Sequence, residues 1–443
     1  MSLPRYPRYK DSGVEWLGEV PEHWGVVQSR RLFAQRKERA RENDKQLTAS
    51  QTHGVIDQED FMEREGRSVM QVIHGADILK HVEPQDFVIS MRSFQGGIEW
   101  CGERGSISSA YVILIPTSAV QPPFFRYLLK SQRYIQALQS TTNLVRDGQA
   151  MRFSNFSQLD LPVVPESEQS VIASFLDRTT VKIDALVEEQ RRLIELLKEK
   201  RQAVISHAVT KGLNPNAPLK DSGIEWLGEV PQHWEVIPLK RDLKFLTSGS
   251  RGWAENYSEE GDLFIRIGNL TREGIVLDLS DIQRVEVPFG AEGARTVVQP
   301  GDLLFSITAY LGSVAEVPEG IETAYVSQHV ALGRLWKKRL LPRWAAYVTL
   351  SNLGKTYLDT QGYGGTKIQL SLDDVANMVM TAPPLDEQRA ITRFIDLELV
   401  RLDELVLTAT RAIDLLKERR TALISAAVTG KIDVRGLAVE EAA

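Results

Sequence analysis

The feature that most constrains this chain is an internal repeat. Residues 10–21 are KDSGVEWLGEVP and residues 220–231 are KDSGIEWLGEVP, so eleven of twelve positions are identical. Each copy continues to a His-Trp pair, His23-Trp24 in the first and His233-Trp234 in the second. A near-identical recurrence after 210 residues indicates a duplicated structural unit rather than chance. We name the two copies, up to and including their His-Trp pairs, the lead segments.

A second repeated pair lies further along the chain. Residues 165–212 begin PESEQSVIASFLD, and residues 384–431 begin PLDEQRAITRFID. The regions between the repeats, 25–164 and 235–383, do not visibly match each other. Duplication followed by drift is one explanation, but drift acting alone should also have eroded the repeated frame. The simpler interpretation is two recognition modules that carry different surfaces on a common scaffold.

These repeats predict the domain organisation. The predicted parts are a lead segment (1–24), a first module (25–164), a central helix (165–212), a linker with the second lead segment (213–234), a second module (235–383), a C-terminal helix (384–431) and a tail (432–443).

Both repeated helical stretches carry apolar residues at a spacing of seven over about four heptads, which predicts coiled-coil packing. Because an apolar stripe on a long helix needs a partner, we expect the two copies to pack together and antiparallel. Prolines and acidic residues at 165–169 and 383–388 favour helix starts, and we expect the acids Glu168, Asp386 and Glu387 to act as caps. The predicted coiled-coil positions are Leu176, Ile183, Leu186, Leu193, Leu197, Val204, Leu402, Leu405, Leu416 and Leu423.

The two intervening regions share one order of predicted elements. The second has strand patterns at 263–270, 302–317 and 324–335, then a helical pattern at 343–361 and a glycine-bearing loop. The first has the same order over 86–105, 108–116 and 124–138. The predicted fold class is therefore α+β, with two α/β modules joined by two long antiparallel coiled-coil helices in a pseudo-two-fold repeat.

Composition excludes several classes of protein. Hydrophobic residues make up 42% and charged residues 25%, as in ordinary globular proteins. No apolar run is long enough for a membrane span, the N-terminus lacks a signal core, and Cys101 is the single cysteine. We therefore expect a cytoplasmic protein without membrane contact. The net charge of −6 departs from the basic balance that is common in nucleic-acid-binding proteins.

Signals of catalysis are missing from the sequence. Gly354-Lys355-Thr356 resembles the end of a phosphate-binding loop, but Thr349 stands where that loop needs glycine. No dinucleotide-binding glycine pattern follows a predicted strand, and the Pro-Pro pairs lack the neighbours found in adenine methyltransferases. The seven histidines lack metal-ligand spacing, and the repetition of His23 and His233 beside tryptophans favours a packing role. We predict no catalytic residue, no metal site and no cofactor on this chain.

The repeated residues resemble one known family. The WLGEVPEHW and WLGEVPQHW motifs, and the helix openings ESEQSVIASFLD and LDEQRAITRFID, are similar to those of specificity subunits of type I restriction-modification enzymes. The segment PGDLLFSITAYLGSVA (300–315) is similar to a recurrent stretch of that family's target recognition domains. The resemblance covers nearly the whole chain.

The resemblance implies a DNA-reading role. Each module would recognise one half of a bipartite target in double-stranded DNA, and the helices would set the unread spacer. Two modification subunits would bind S-adenosylmethionine and methylate adenine N6, and restriction subunits would add ATP- and Mg-dependent cleavage. On this view, four residues inserted before Leu197 should lengthen the spacer by about two base pairs.

Polar residues on the glycine-bearing loops are the candidate base contacts, since arginine suits guanine and amide side chains suit adenine. They are Arg92, Ser93, Gln95, Arg146, Gln149 and Arg152 in the first module, and Arg266, Asn269, Thr308, Tyr310, Tyr363, Thr366 and Lys367 in the second.

Two other functions stay open at this stage. The chain could be an adaptor whose duplicated modules bind proteins and make no DNA contact. It could also be a self-sufficient nuclease or methyltransferase with an unrecognised site, although the missing motifs argue against this. A bipartite methylation pattern in genomic DNA would separate the DNA reader from the adaptor.

Overall fold

A computed structural model describes residues 3–69, 78–141, 151–288, 290–361 and 369–438. The chain divides into two compact units. Unit 1 comprises Met1–Arg191 with Arg411–Ala443, and unit 2 comprises Arg192–Thr410. Each of the two long helices therefore contributes one part to each unit. Across the described ranges, no helix has both the length and the apolar character that a bilayer crossing requires.

Unit 1 combines short strands with helices. In chain order its elements are β1 (Tyr9–Asp11), β2 (Glu19–Pro21), β3 (Gly25–Gln28), β4 (Phe33–Arg36), β5 (Leu47–Ser50), β6 (Gly54–Asp57), α1 (Gln58–Glu65), β7 (Lys80–Val82), β8 (Phe87–Ile89), α2 (Ser93–Gly96), β9 (Glu99–Trp100), β10 (Gly105–Ile107), β11 (Val112–Pro116), α3 (Pro122–Leu128), α4 (Gln132–Ser140), α5 (Phe153–Ser157), β12 (Asp160–Val163) and the first part of α6 (Glu166–Lys211).

The main sheet of unit 1 has the strand order β4-β11-β8-β9, and all its pairs are antiparallel. Because side chains alternate along a strand, Phe87 and Ile89 of β8 enter the large core beside α3 and α4, whereas Val88 enters a smaller core on the other face. Phe33 is central to the large core and makes edge-to-face contacts with three phenylalanines.

Unit 2 has the same number of strands in its described residues as unit 1. In chain order its elements are β13 (Leu219–Asp221), β14 (Glu229–Pro231), β15 (Glu235–Pro238), β16 (Leu243–Ser248), β17 (Tyr257–Ser258), β18 (Asp262–Ile265), β19 (Gln283–Val285), α7 (Ala291–Thr296), β20 (Leu303–Ser306), β21 (Val314–Glu316), β22 (Ala324–Val326), β23 (Val330–Leu335), α8 (Pro342–Leu350), α9 (Asn352–Gln361), α10 (Leu372–Ala376), β24 (Val379–Ala382) and part of α11 (Leu385–Val428).

The main sheet of unit 2 has the same topology as that of unit 1. Its order is β16-β23-β20-β21, again entirely antiparallel. Leu303 and Phe305 of β20 enter the core beside α8, and Leu304 enters a second core on the opposite face. Unit 2 also has a sheet of order β17-β19-β18-β22, in which β18 and β22 are parallel. In unit 1 the hairpin β5-β6 is joined to β10 by a parallel bridge between Gln46 and Ser106. The duplicated frame therefore carries two versions of one α+β module.

Three local expectations from the sequence are corrected. The strand expected over 263–270 ends at Ile265, and a short 3-10 turn follows it. The stretch 324–335 forms two strands, β22 and β23, with a turn at Ser327–His329. The helix expected over 343–361 is broken at Ser351, whose extended backbone separates α8 from α9 and whose hydroxyl bonds the Val348 carbonyl.

The long helices α6 and α11 have 46 and 44 residues. Within unit 1 their parts run antiparallel, because Asp184 pairs with Arg420 and the glycine after α11, Gly430, meets the lead segment that also contacts the start of α6. Within unit 2 Arg201 pairs with Asp403, and Gly212, which ends α6, lies near the start of α11. Antiparallel pairing therefore holds in each unit.

Part of the predicted coiled-coil seam is wrong. Leu176, Ile183, Leu197, Leu402 and Leu423 are buried, and Val204 and Leu416 are half-buried.

Three of the predicted positions, Leu186, Leu193 and Leu405, are 50%, 41% and 51% exposed. Leu186 precedes the buried Val187, and Leu193 and Leu405 precede the half-buried Ile194 and Val406. One step along a helix rotates a side chain by about 100°, so these three leucines lie beside the contact rather than in it.

Candidate nucleic-acid interface

The two lead segments are fastened to the long helices by the same constellation of residues. In unit 1 the buried Glu168 carboxylate accepts a hydrogen bond from the Trp24 indole at 3.0 Å and one from the Tyr6 hydroxyl at 2.5 Å. Its other oxygen lies 2.8 Å from Nε2 of His23. Burial and the hydrogen bond to Glu168 raise the pKa of Tyr6 far above its ordinary value, so Tyr6 stays a donor.

Unit 2 repeats this arrangement. Glu387 accepts from the Trp234 indole at 3.1 Å and lies 2.8 Å from Nε2 of His233. The expected capping role of these acidic residues is therefore wrong for Glu168 and Glu387, because each carboxylate turns to a lead segment. The expectation that the histidines serve packing agrees with these contacts.

The glutamine after each of these glutamates ties the helix to its module. Gln169 accepts from the Gln121 N–H at 2.9 Å and donates to the carbonyls of Ala119 and Val164. Gln388 makes the same three kinds of bond, accepting from Leu341 and donating to Arg339 and Pro383. Each long helix therefore begins with an adjacent pair of residues that positions both the lead segment and the module.

One aspartate further along each helix holds the module's first core helix. Asp177 of α6 accepts from the Tyr127 hydroxyl at 2.5 Å and pairs with Arg126. Asp396 of α11 accepts from the Tyr347 hydroxyl at 2.5 Å and pairs with Arg343 at 2.7 Å. The sheet of each module is thus oriented on its helix by charged contacts that the duplication preserved.

Five of the candidate base contacts lie on corresponding segments of the two modules. Arg92, Ser93 and Gln95 follow β8 in the first module, and Thr308 and Tyr310 follow β20, which occupies the same place in the sheet of the second. Arg92 and Gln95 are exposed on the first loop. The Gln51 amide donates to the Arg92 carbonyl at 3.2 Å and fixes the loop from the side.

Ser93 on that loop is 1% exposed, and its hydroxyl accepts from the Ser90 N–H at 2.8 Å. The prediction of a base contact by Ser93 is therefore corrected, since this side chain is used in closing the turn.

The corresponding loop of the second module exposes Tyr310 and buries Thr308. Tyr310 is 45% exposed, and the Arg272 guanidinium lies 3.7 Å above its ring. Thr308 is 7% exposed and its backbone bridges to Gln369, so the structure does not support a base contact by its side chain. Ala309 between them has a φ of 63°, a left-handed backbone that turns the loop outward at Tyr310.

Arg272 and Tyr310 line a groove of about 310 Å³ together with Lys355. The Lys355 ammonium donates to Gln202 at 2.9 Å, and burial lowers its pKa below the ordinary value. Sequence reasoning missed Arg272 and dismissed Lys355 as a false phosphate-loop lysine. Only the fold brings these distant positions together, so no local sequence signal could have found the groove.

Asn269 is also corrected, because it is 3% exposed and fully used in fastening its own loop. Its Oδ1 accepts from the Arg266 N–H at 2.9 Å, and its amide donates to the carbonyls of Asp278 and Asp281. Arg266 itself is half-exposed, with its guanidinium 3.7 Å from the exposed Asp281 carboxylate.

Arg152 is exposed in front of α5, where its N–H donates to Asn155 at 3.0 Å. The remaining candidates, Arg146, Gln149, Tyr363, Thr366 and Lys367, lie outside the described residues.

Metal and thiol chemistry find no support in the described part of the chain. No group of three or more His, Cys, Asp or Glu side chains there is arranged to hold a metal ion. Burial raises the pKa of Cys101 to about 12, so its thiol stays protonated at neutral pH and is a poor nucleophile.

Comparisons with known proteins point in one direction. No family model matches the sequence. The chain is 25% identical over 378 residues to the EcoKI type I restriction enzyme specificity subunit of Escherichia coli strain K12, covering 79% of this chain and 75% of that one. It is 22% identical over 360 residues to the EcoBI specificity subunit of Escherichia coli, covering 79% and 74%.

Solved structures share the fold. A chain from a structure on complex assembly and conformational transition of the type I R-M system has a TM-score of 0.68 at 15% identity, with 92% of this chain and 98% of that chain covered. The HsdS subunit from Thermoanaerobacter tengcongensis has a TM-score of 0.55 at 16% identity, with 93% and 98% covered.

Proposed function

We infer that this chain, which belongs to the specificity subunits of type I restriction-modification enzymes, is the DNA-recognition subunit of such an enzyme and performs no catalysis itself. The observation that carries the inference is the pair of modules with one strand order and different surfaces. Each is fastened to a long helix by the same carboxylate, glutamine and aspartate contacts.

In this function each module recognises one half of a bipartite target in double-stranded DNA. Exposed side chains on the loops after β8 and β20 contact base edges, and lysines and arginines near them contact phosphates and fix the register. Arg92 and Gln95 serve the first half-site, and Tyr310 with Arg272 serves the second. The long helices set the number of unread base pairs between the halves.

The chemistry belongs to partner subunits. Two modification subunits bind S-adenosylmethionine and methylate adenine N6, and restriction subunits use ATP and Mg for translocation and cleavage. The chain's net charge of −6 favours a division of binding between subunits. We therefore expect weak DNA binding by this chain alone and tighter binding by the assembled complex.

Modified-base sequencing tests this function directly. DNA is sequenced from cells that express this chain together with its neighbouring modification gene. Methyladenine should occur in a split motif, once in each half, and the signal should be lost when this chain is omitted. A complex that assembles but leaves the DNA unmethylated would instead favour a protein-binding adaptor.

A further inference from the structure

Unit 2 contains a cavity of about 240 Å³ that none of the contacts above uses. It lies where the sheet β17-β19-β18-β22 meets the turn after β22. Its volume is below the range of about 300–1,000 Å³ that is typical of pockets for drug-sized ligands. The cavity therefore suits a small occupant.

The walls of this cavity are aromatic. Trp253 stacks on Phe264 with ring centroids 5.8 Å apart and planes 23° from parallel. Tyr257 packs against Phe264 at 5.8 Å and is 43% exposed at the mouth. Because Trp253 and Phe264 are 4% and 2% exposed, the exposed Tyr257 ring provides the face on which a flat ligand can stack.

A close backbone approach builds the pocket. A Cβ at Gly249 would lie 2.1 Å from the carbonyl oxygens of Val326 and Ser327, so only glycine allows the chain to cross the end of β22 there. The next residue, Ser250, donates its N–H to the Val326 carbonyl at 2.9 Å. This crossing carries Trp253 into the wall.

One polar group in the pocket is unsatisfied. The Ser327 hydroxyl is buried and has no hydrogen-bond partner among the described residues, and the residue is 7% exposed. A buried hydroxyl without a partner is costly, and native structures keep few of them. Beside it the Gln328 amide lies 3.1 Å from Nε2 of His329, at the same edge of the cavity. The pocket thus offers hydrogen bonds along one edge and apolar faces at its sides.

A nucleobase has this combination of flat faces and a polar edge. Proteins that take a base out of the DNA stack hold it between aromatic side chains and hydrogen-bond its edge. Arg266 also lines the pocket, and its guanidinium, which lies 3.7 Å from the exposed Asp281 carboxylate, can exchange that exposed ion pair for a neighbouring phosphate.

We propose that this pocket binds a nucleobase extruded from the duplex at the half-site recognised by the second module. The proposal rests on the DNA-recognition function given above. The pocket recognises a base that has left the stack. The loop after β20, in contrast, contacts the edges of bases that remain stacked in the duplex.

The test uses this chain in complex with its modification subunits. The DNA is a duplex that carries the target motif identified by modified-base sequencing. 2-Aminopurine, whose fluorescence rises when it leaves the stack, replaces each base of the second half-site in turn. We expect a strong increase at one position other than the adenine that becomes methylated. Ser327→Ala, which removes the unpartnered hydroxyl without a void, should weaken binding of that duplex about 3- to 10-fold.

Two further variants sharpen the test. Tyr257→Ala removes the exposed wall and should abolish most of the fluorescence increase at that position. Thr323→Val removes an exposed hydroxyl of the same module outside the pocket and should leave both binding and fluorescence unchanged.

Three outcomes would overturn the proposal. The first is fluorescence that rises only at the methylated adenine, and the second is an unaltered response in both pocket variants. The third is tight, Ser327-dependent binding of a free nucleoside to the chain without DNA, which would make the occupant a small molecule. Failure of the proposed function is distinguishable from these, because the complex would then show neither sequence-specific DNA binding nor bipartite methylation.

Discussion

At the scale of single residues, buried carboxylates organise the frame, and the side chains that we propose for DNA recognition lie exposed on loops. Glu168 collects an indole, a hydroxyl and an imidazole from one lead segment. The buried Asp44 carboxylate anchors a polar cluster of the first module, where it lies 2.6 Å from Nδ1 of the buried His81. In contrast, Arg92 and Tyr310 are exposed on loops whose neighbours hold them in place.

Replacing Glu168 should destabilise unit 1. Glu168→Ala leaves the Trp24 indole and the Tyr6 hydroxyl without their acceptor, so we expect a loss of about 2–3 kcal/mol in the free energy of unfolding. Glu166→Ala, on the exposed side of the same helical turn, should change it by less than about 0.5 kcal/mol. Urea unfolding of both variants measures the difference, and equal effects would contradict the assigned role.

Replacing Arg92 should change recognition and leave folding intact. If Arg92 contacts a base edge, Arg92→Ala should cost about 1–3 kcal/mol and relax one position of the first half-site. Ser93→Ala should lower stability without relaxing any position, because its hydroxyl closes the turn. Modified-base sequencing of the methylated motif distinguishes the two. A uniform loss at every position for Arg92→Ala would indicate a phosphate contact instead.

Asp44 should make the first module sensitive to acid. Burial raises the pKa of this carboxyl, but the Arg41 N–H and the His81 ring lower it by more, so its pKa lies below the ordinary 3.8. A carboxyl of lowered pKa stabilises the folded state fully above about pH 4, and this stability is lost as pH falls through the folded-state pKa.

Asp44→Asn should therefore be less stable at neutral pH and should lose less stability between about pH 4 and pH 2 than the native chain. Asp60→Asn, on exposed helix α1, serves as the control. Circular dichroism during acid titration measures this. The assignment fails if the Asp44 variant follows the native acid profile.

At the scale of elements, the long helices are held by a seam narrower than their apolar surface. Ile395, Leu399, Leu402 and Ala409 of α11 are buried, whereas Leu405 and Leu407 are about half exposed. These four buried residues are spaced by four, three and seven positions. Such spacings keep side chains on one face of a helix. Apolar character alone therefore does not identify the seam.

Two leucines on α11 provide a matched test of this seam. Leu402→Ala should destabilise unit 2 by about 2–5 kcal/mol, because a buried leucine is removed from a packed core. Leu405→Ala makes the same chemical change at a position that is 51% exposed, so its cost should stay below about 1 kcal/mol. The thermal unfolding midpoints of the two variants are compared. A larger loss for Leu405→Ala than for Leu402→Ala would mean that Leu405 lies in the contact between the helices.

At the scale of the whole molecule, duplication supplies two modules of one topology on one continuous pair of helices. The modules share a four-stranded sheet and the same anchoring residues. They differ in how far the second sheet extends, since β18 and β22 pair as parallel strands in unit 2, whereas in the described part of unit 1 β5 and β10 are joined by the parallel bridge between Gln46 and Ser106. Under the proposed function, a common frame with different surfaces would let each module recognise its own half-site.

Lengthening both helices should lengthen the spacer of the DNA target. Arg201 lies opposite Asp403, so the level of Leu197 in α6 corresponds to Leu407 in α11. Four residues inserted before Leu197 and four after Leu407 add about 6 Å, or about two base pairs. Modified-base sequencing should show unchanged half-sites with a longer spacer. The same insertion in the exposed loop at Asn214 should change neither.

The sequence by itself determined the duplication, the two long helices and the order of the elements in each module. These features follow from repeated residues and from periodicity, which depend only on neighbours along the chain. The predicted antiparallel pairing also agrees with the contacts in each unit. The predicted ends of helices were wrong where a single residue decides them, as at Ser351, which separates α8 from α9.

Only the tertiary structure decided which polar side chains are available. Ser93, Asn269 and Thr308 have the same chemistry as base-contacting residues, but all three are buried, and local hydrogen bonds also use the side chains of Ser93 and Asn269. Arg272 and Tyr310 stand 38 positions apart and meet because the loops after β18 and β20, strands of two different sheets, converge. The role of a polar residue depends on the groups that surround it in space, and spacing along the chain carries little of that information.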